Sequence, residues 1–180
     1  APINGRAMLS HVIDNCLASP AIGKIVIAMP GDIDPADDAP DLAKRIQTHN
    51  IARIDVGATP AESVTKALRD RSLPAGRLVI TTADHPLLTP AMVSEFVTNW
   101  QRDVGLGVVS LDDLRATFPE QRRTRLRFAD GMYKGCNLFG LDTRGDGIED
   151  LLAFWTKLES LRKKPLAMAR AIGTGTAILY

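Results

Sequence analysis

The residues whose types and spacing best suit chemistry lie in residues 78–90, LVITTADHPLLTP. A short apolar run, Leu78, Val79 and Ile80, turns polar at Thr81 and Thr82 and delivers a carboxylate, Asp84, followed by His85 and Pro86. Pro90 then opens an amphipathic stretch, and proline suits a first helical turn. An acid placed where a strand stops and a loop begins lies at the carboxyl edge of a sheet, the side on which open α/β sheets bind ligands. There a carboxylate can hold Mg²⁺, a hard cation that keeps several waters and recruits phosphate oxygens. Capping its own turn is the plainer use of an Asp at such a place.

Two further stretches should open on the same edge. Gly57-Ala58-Thr59-Pro60 turns into a helix carrying Ser63, and a helix N-terminus offers free N–H groups to an anion or a polar ring. KGCNLFGL returns a polar Asn137 just as a strand begins; an asparagine there suits its own turn as well as it suits a ligand. Of the three histidines only His85 adjoins these residues, and packing beside Pro86 is its expected role. The acids of residues 31–40 (Asp32, Asp34, Asp37, Asp38) lack the ligand spacing of a calcium loop and read as a solvated surface loop. GxGxxG, Walker, GxSxG and HExxH sequences are absent.

The elements that must position these residues follow from apolar periodicity. Helices are expected from Met8 to Leu17, over 41–49, 61–69, 91–101 and 148–161, with a short one over 165–172. Strands are expected over 24–29, 52–56, 78–80 and 107–111. Alternation of strands and helices in the first two thirds argues for a mostly parallel sheet covered on both faces. Residues 122–128 and 137–141 then give two strands in succession around a hairpin signal, Asp130-Gly131, which implies an antiparallel insertion and a mixed sheet. A last strand is expected from Thr176. The chain's 180 residues fit one domain, and 45% hydrophobic residues without a membrane-length apolar run fit a globular cytoplasmic protein. A net charge of +1 gives no electrostatic case for nucleic acid or a membrane surface. The two cysteines, Cys16 and Cys136, have no metal spacing and read as reduced thiols.

TTADHPLLTP resembles the aspartate motif of the MobA-like nucleotidyltransferases, within the GT-A type. INGRAMLSHVIDNCLAS is similar to the turn and helix that follow that family's glycine-rich loop and lysine. RRTRLRFADGMYKGCNLFGLD resembles a branch with an Arg-Thr pair, a Gly and an Asn-Leu-Phe strand. In that order the three stretches span nearly the whole chain.

The resemblance implies a Rossmann-like three-layer α/β/α sandwich that binds a nucleoside triphosphate with Mg²⁺, GTP and CTP being the candidates. A small phosphorylated or hydroxylated acceptor would attack the α-phosphate and pyrophosphate would leave. By the same resemblance, Asp84 would hold the metal and share the catalytic role with Asn137, on the acceptor or metal side. Ser63 would sit near the base, with Thr82 as a further nucleotide contact, and Arg123 and Lys134 would reach phosphates. Asp130 and Asp142 are candidates for a second metal carboxylate, although a hairpin turn and a strand end explain them equally. Cys136 stands where a small residue, typically glycine, is expected. The family's first strand and glycine-rich loop would lie before Ala1, and residues 176–180 would begin another strand, so a single domain cut short at both ends is expected. The rivals are a non-catalytic nucleotide-binding domain on the same fold and a nucleotide-sugar glycosyltransferase, the latter disfavoured by the missing DxD triplet.

Overall fold

Proline and threonine set most of the helix starts. The computed structural model describes residues 2–70, 73–119 and 126–161. A small hairpin, β1 (Pro2–Ile3) and β2 (Arg6–Ala7), turns at Asn4 and Gly5, both at positive φ. Helix α1 (Met8–Leu17) follows and buries Val12 and Ile13. Strand β3 (Val26–Ala28) pairs in parallel with β4 (Ala52–Ile54), and the segment between them carries α2 (Pro35–Asp38) and α3 (Pro40–Thr48). The Asp-rich loop is therefore partly helical, because Asp34 accepts from the Ala36 N–H and Pro35 fills the first helical position. Arg45 of α3 holds Asp14 of α1 in a paired contact at 2.5 and 2.9 Å, and Arg6 binds the same carboxylate.

Helix α4 (Pro60–Arg69) leads to strand β5 (Arg77–Thr81), which stands at one end of its sheet among the described residues, and α5 (Pro90–Asn99) leads to β6 (Val104–Ser110). Thr59 and Thr89 cap these helices, each accepting at 3.2 Å from an N–H three residues on. β6 starts earlier than expected and stops at Ser110, whose hydroxyl caps α6 (Leu111–Thr117), a helix that strand periodicity concealed. β7 (Leu126–Phe128) and β8 (Gly131–Asp142) form the hairpin, and α7 (Ile148–Leu161) closes the described part. The expected helix over 165–172 and the strand from Thr176 lie outside the described residues, as does the first half of the strand over 122–128.

The strand expected over 137–141 is only the distal part of the twelve-residue β8, which runs antiparallel between β5 and β6. Instead of one mostly parallel sheet, the described strands form a parallel pair, β3–β4, and a separate sheet in which β5, β8, β6 and β7 are joined by antiparallel pairs, because the long β8 inserts between β5 and β6. β5 is covered on both faces, as its unbroken apolar run requires. Leu78 and Ile80 meet Val64 of α4 and Leu152 of α7, whereas Val79 joins Leu88, Val93 of α5 and Leu138. A third cluster, Ile13, Ile27, Leu42 and Ile51, binds α1 and α3 to β3. At the amino end of β5, Trp100 lies on Gly105 and Gly140, which face each other across β6 and β8. A methyl group on either glycine would come within 3 Å of the indole ring, so only glycine seats it. The Arg77 guanidinium stands 4.2 Å above that ring and donates to the Trp100 carbonyl. No helix among the described residues is long and apolar enough to cross a membrane.

Candidate active site

Asp84 stands three residues beyond the carboxyl end of β5, exposed, where the strand pattern placed it. The loop that carries it is fixed from below. Leu88 is 1% exposed within the cluster under α5, and its N–H donates to the His85 carbonyl at 3.1 Å. A mobile loop would have no such anchor. The Thr82 hydroxyl donates to one oxygen of Asp84, which biases the carboxylate's orientation while leaving acceptor capacity for a ligand.

Asn137 arrives opposite through a fault in the sheet register. Leu106 of β6 faces Phe139, but Val108 faces Gly135, so β8 carries two extra residues around Cys136 and Asn137. Asn137 takes φ +50°, a left-handed conformation that asparagine adopts more readily than most residues. On the other strand Gly107 meets the bulge, where an added Cβ would lie 3.0 Å from Leu138. Bulges re-aim side chains and concentrate beside active sites. Sequence reasoning had one signal for it, the isolated Gly135 inside a strand pattern.

Thr81 ties this bulge to the Asp84 loop, and the sequence reading gave it no role. Its hydroxyl donates to the Asn137 carbonyl at 3.0 Å and lies 3.4 Å from His85 Nδ1. A hydroxyl has one proton, so the His85 contact takes the Nδ1–H tautomer and leaves Nε2 as the acceptor of the neutral ring. Burial lowers the His85 pKa, opposed by the nearby charge of Asp84. The imidazole thus stays neutral further below pH 7 than a free one.

Ser63 sits at the start of α4, half-buried, and its hydroxyl has two partners already. It accepts from the Gly57 N–H at 2.9 Å and donates to the Thr59 carbonyl at 3.1 Å. Ser63 and Thr82 both line an apolar cavity that borders β5. Lys134 lies past the bulge on β8, opposite Val109, and its charge acts on the Cys136 thiol, whose pKa burial pushes up. Arg123 lies outside the described residues. Of the two candidates for a second carboxylate, Asp142 pairs with Arg77 at the far end of β5 and is bound by Arg144 at 2.5 Å, which holds its pKa at about 2. Asp130 occupies the β7–β8 turn and accepts from the Tyr133 hydroxyl at 3.1 Å. The described residues contain no group of three metal-binding side chains. Mg²⁺ does not need one where substrate phosphates and water complete its shell, and a single exposed carboxylate fits that mode.

Helices on both faces of β5, with polar groups gathered at the carboxyl end of that strand, fit a Rossmann-like α/β domain of the nucleotide-handling kind. The sequence matches the MobA-like NTP transferase domain over residues 1–163, and the chain belongs to that family: it is a nucleotidyltransferase. Among solved structures it is similar to a hypothetical transferase from Thermus thermophilus, at 26% identity and TM-score 0.71, over 96% of this chain and 67% of that one. The fold is shared with 4-diphosphocytidyl-2C-methyl-D-erythritol synthase from Anaerococcus prevotii, at 11% identity and TM-score 0.61, over 88% of this chain and 67% of that one. It is shared too with CMP:2-keto-3-deoxy-manno-octonic acid synthetase in complex with CTP, at 14% identity and TM-score 0.59, over 95% and 78% of the two chains. No curated protein matches the sequence.

Proposed function

We propose that this nucleotidyltransferase moves a nucleoside monophosphate from a nucleoside triphosphate, GTP or CTP, onto a small phosphorylated or hydroxylated acceptor, with Mg²⁺ held at Asp84. The observation that carries the reading is the placing of Asp84, exposed on an anchored loop at the end of β5 and oriented by the Thr82 hydroxyl. An acceptor oxygen forms a bond to the α-phosphorus while the bond from that phosphorus to the bridging oxygen of the β-phosphate breaks, and pyrophosphate leaves. Bound Mg²⁺ supplies charge neutralisation on the phosphates.

The chain's own residues position the partners, as phosphoryl-type transfer requires. Thr82 orients the Asp84 carboxylate, and Thr81 holds the Asn137 backbone so that its side chain borders the same edge. His85 Nε2, kept as an acceptor by the Thr81 contact, is available to take the proton of an acceptor hydroxyl. Two known relatives of the fold are named for cytidylyl products, which supports CTP as the first donor to test.

The test is a pyrophosphate-release assay with each of the four triphosphates and a panel of sugar-phosphate and polyol acceptors, with Mg²⁺ and with chelator. Release of pyrophosphate with one triphosphate, lost on chelation, is the expected result. Release of a nucleoside diphosphate from nucleotide-sugars would instead indicate glycosyl transfer and overturn the reading.

A further inference from the structure

Thr81 is the last residue of β5, and its hydroxyl stands where two segments of the chain meet. The Asn137 carbonyl lies 3.0 Å from it and His85 Nδ1 lies 3.4 Å from it. A carbonyl oxygen accepts and never donates, so the one proton of the Thr81 hydroxyl is committed to Asn137. Turned towards His85 instead, it would leave two oxygens facing lone pair to lone pair at 3.0 Å. The hydrogen bonds therefore run one way, from Nδ1–H to the Thr81 oxygen and from the Thr81 hydroxyl to the Asn137 carbonyl. Main chain fixes the far end of this relay. Thr81 pairs with Leu138 in the β5–β8 ladder, and the carbonyl belongs to the bulge residue held at φ +50°.

The role of one ring nitrogen decides the other. A neutral imidazole has a single N–H, so with Nδ1 as donor Nε2 carries the lone pair. At pH 8 the ring is neutral, because an ordinary imidazole gives up its proton at about pH 6.5. The preceding residue is Asp84, whose ionised carboxylate also only accepts. Two hydrogen-bond acceptors thus sit on adjacent residues, and a matching substrate brings a donor to them. Alcohols and phosphates differ in this respect. An alcohol offers its O–H, whereas a phosphomonoester, with its second pKa at about 6, is fully ionised at pH 8 and offers none. Its oxygens would stand against the Nε2 lone pair and the Asp84 charge.

We propose that the oxygen receiving the nucleotidyl group is an alcohol hydroxyl rather than a phosphate, selected by His85 Nε2, which Thr81 holds in its hydrogen-bond-accepting form. The inference rests on the nucleotidyl transfer proposed above and narrows it to one class of receiving substrate. The hydroxyl oxygen bonds to the α-phosphorus, the bond from that phosphorus to the β-bridging oxygen breaks, the hydroxyl proton passes to Nε2, and pyrophosphate leaves. The product is a phosphodiester. A phosphate in the same place would yield a diphosphate, and it would need no base, since its attacking oxygen is already ionised. Thr81 acts through His85 and is a positioning residue.

Two readouts on the full chain test this. In nitrogen-labelled protein at pH 8 without nucleotide, long-range proton–nitrogen NMR reports which His85 nitrogen is protonated, the signal being assigned with His85→Gln. Nδ1–H is expected, and Nε2–H would overturn the proposal. The protein is then given each triphosphate with Mg²⁺ and a panel of polyol phosphates, which carry both kinds of oxygen, and phosphorus NMR identifies the linkage formed. A phosphodiester is expected. A diphosphate would overturn this proposal and leave nucleotidyl transfer standing, whereas no product with any triphosphate would overturn both. Thr81→Ser keeps the hydroxyl and should keep the tautomer and the rate. Thr81→Val should mix the tautomers and lower kcat about tenfold or more, with the triphosphate KM little changed. An unchanged rate, or a lower rate with the tautomer intact, would overturn the role of Thr81 and the proposal with it. If Thr81→Val does not fold, the parent's tautomer and product linkage decide alone.

Discussion

Two polar turns sit at the carboxyl edge of the sheet, and they are built in opposite ways. The Gly57–Ser63 turn is closed on itself. The Gly57 N–H goes to Ser63, the Ser63 hydroxyl to Thr59, the Ala58 N–H to Glu62, and the Glu62 N–H to Thr59. A Cβ at Gly57 would lie 2.4 Å from Glu62 Cβ and 2.7 Å from backbone atoms of residues 62 and 63. The Thr81–His85 loop is anchored from beneath by Leu88, yet it exposes a carboxylate that the Thr82 hydroxyl binds, and it stands opposite an exposed Asn137 held at positive φ. A turn with its polar groups spent internally gives rigidity to a helix start. A turn with unspent acceptors on a rigid base offers them to a ligand. On the function proposed above, the first turn would serve structure and the second chemistry.

The largest effect that sharpens this contrast should come from Asp84→Asn. With one preorganised charge removed, turnover should fall by roughly 10²–10³ while the melting temperature stays close to that of the parent. Activity within a few-fold of the parent would place the metal elsewhere. Gly57→Ala acts on the other turn. Forcing a methyl group against backbone should cost about 1–3 kcal/mol, read as a lower melting temperature by calorimetry. Unchanged stability would mean that the turn is less closed than its geometry indicates.

Ser63→Ala is the variant able to break the comparison. If Ser63 serves its turn, the substitution leaves the Gly57 N–H without its partner and costs on the order of 1–2 kcal/mol of stability, with the triphosphate KM changed little. A several-fold rise in KM at constant stability would make Ser63 a nucleotide contact and return the first turn to the site. The smallest effect belongs to His85. Its pKa is lowered by burial, so the unfolded chain binds the proton more tightly than the folded one. Stability should therefore decline as pH falls below about 6.5, and the decline should end once the folded-state imidazole is itself protonated. Comparing denaturant midpoints between pH 7.5 and 5.5 for the parent and His85→Gln isolates it: the variant should lose this part of the slope.

Much of this edge was legible in the sequence because its determinants are local. The apolar run ending at Thr81, the acid at position 84 and the proline at position 90 fix a strand end, a loop carboxylate and a helix start within thirteen residues. Helices α1 and α7 were bounded correctly by periodicity. What escaped depends on partners distant in the chain. The two-residue register shift of β8 is set by β6, thirty residues earlier, so local alternation revealed five of its twelve residues. The bond from the Gly57 N–H to Ser63 was not legible because it is fixed only by how the turn closes. Helix α6 hid behind a strand whose apolar alternation ran up to its cap, Ser110. The Asp34-Pro35 pair in the acidic loop was a readable helix start, and composition obscured it.

The flat seat that Gly105 and Gly140 make for Trp100 has an optical consequence. Trp100 borders an apolar cavity of about 460 Å³ that residues of β3 and β5 line, and so does Trp155 from α7; the chain has no other tryptophan. Both indoles therefore adjoin the same apolar cavity. Whatever dries that space should shift the intrinsic fluorescence of the unlabelled protein to shorter wavelength and shield it from a soluble quencher such as acrylamide. The Arg77 cation stacked on Trp100 gives that signal a second component, because its field on the ring changes if the amino end of β5 moves. The protein thus carries its own emission gauge for the hydration of that cavity.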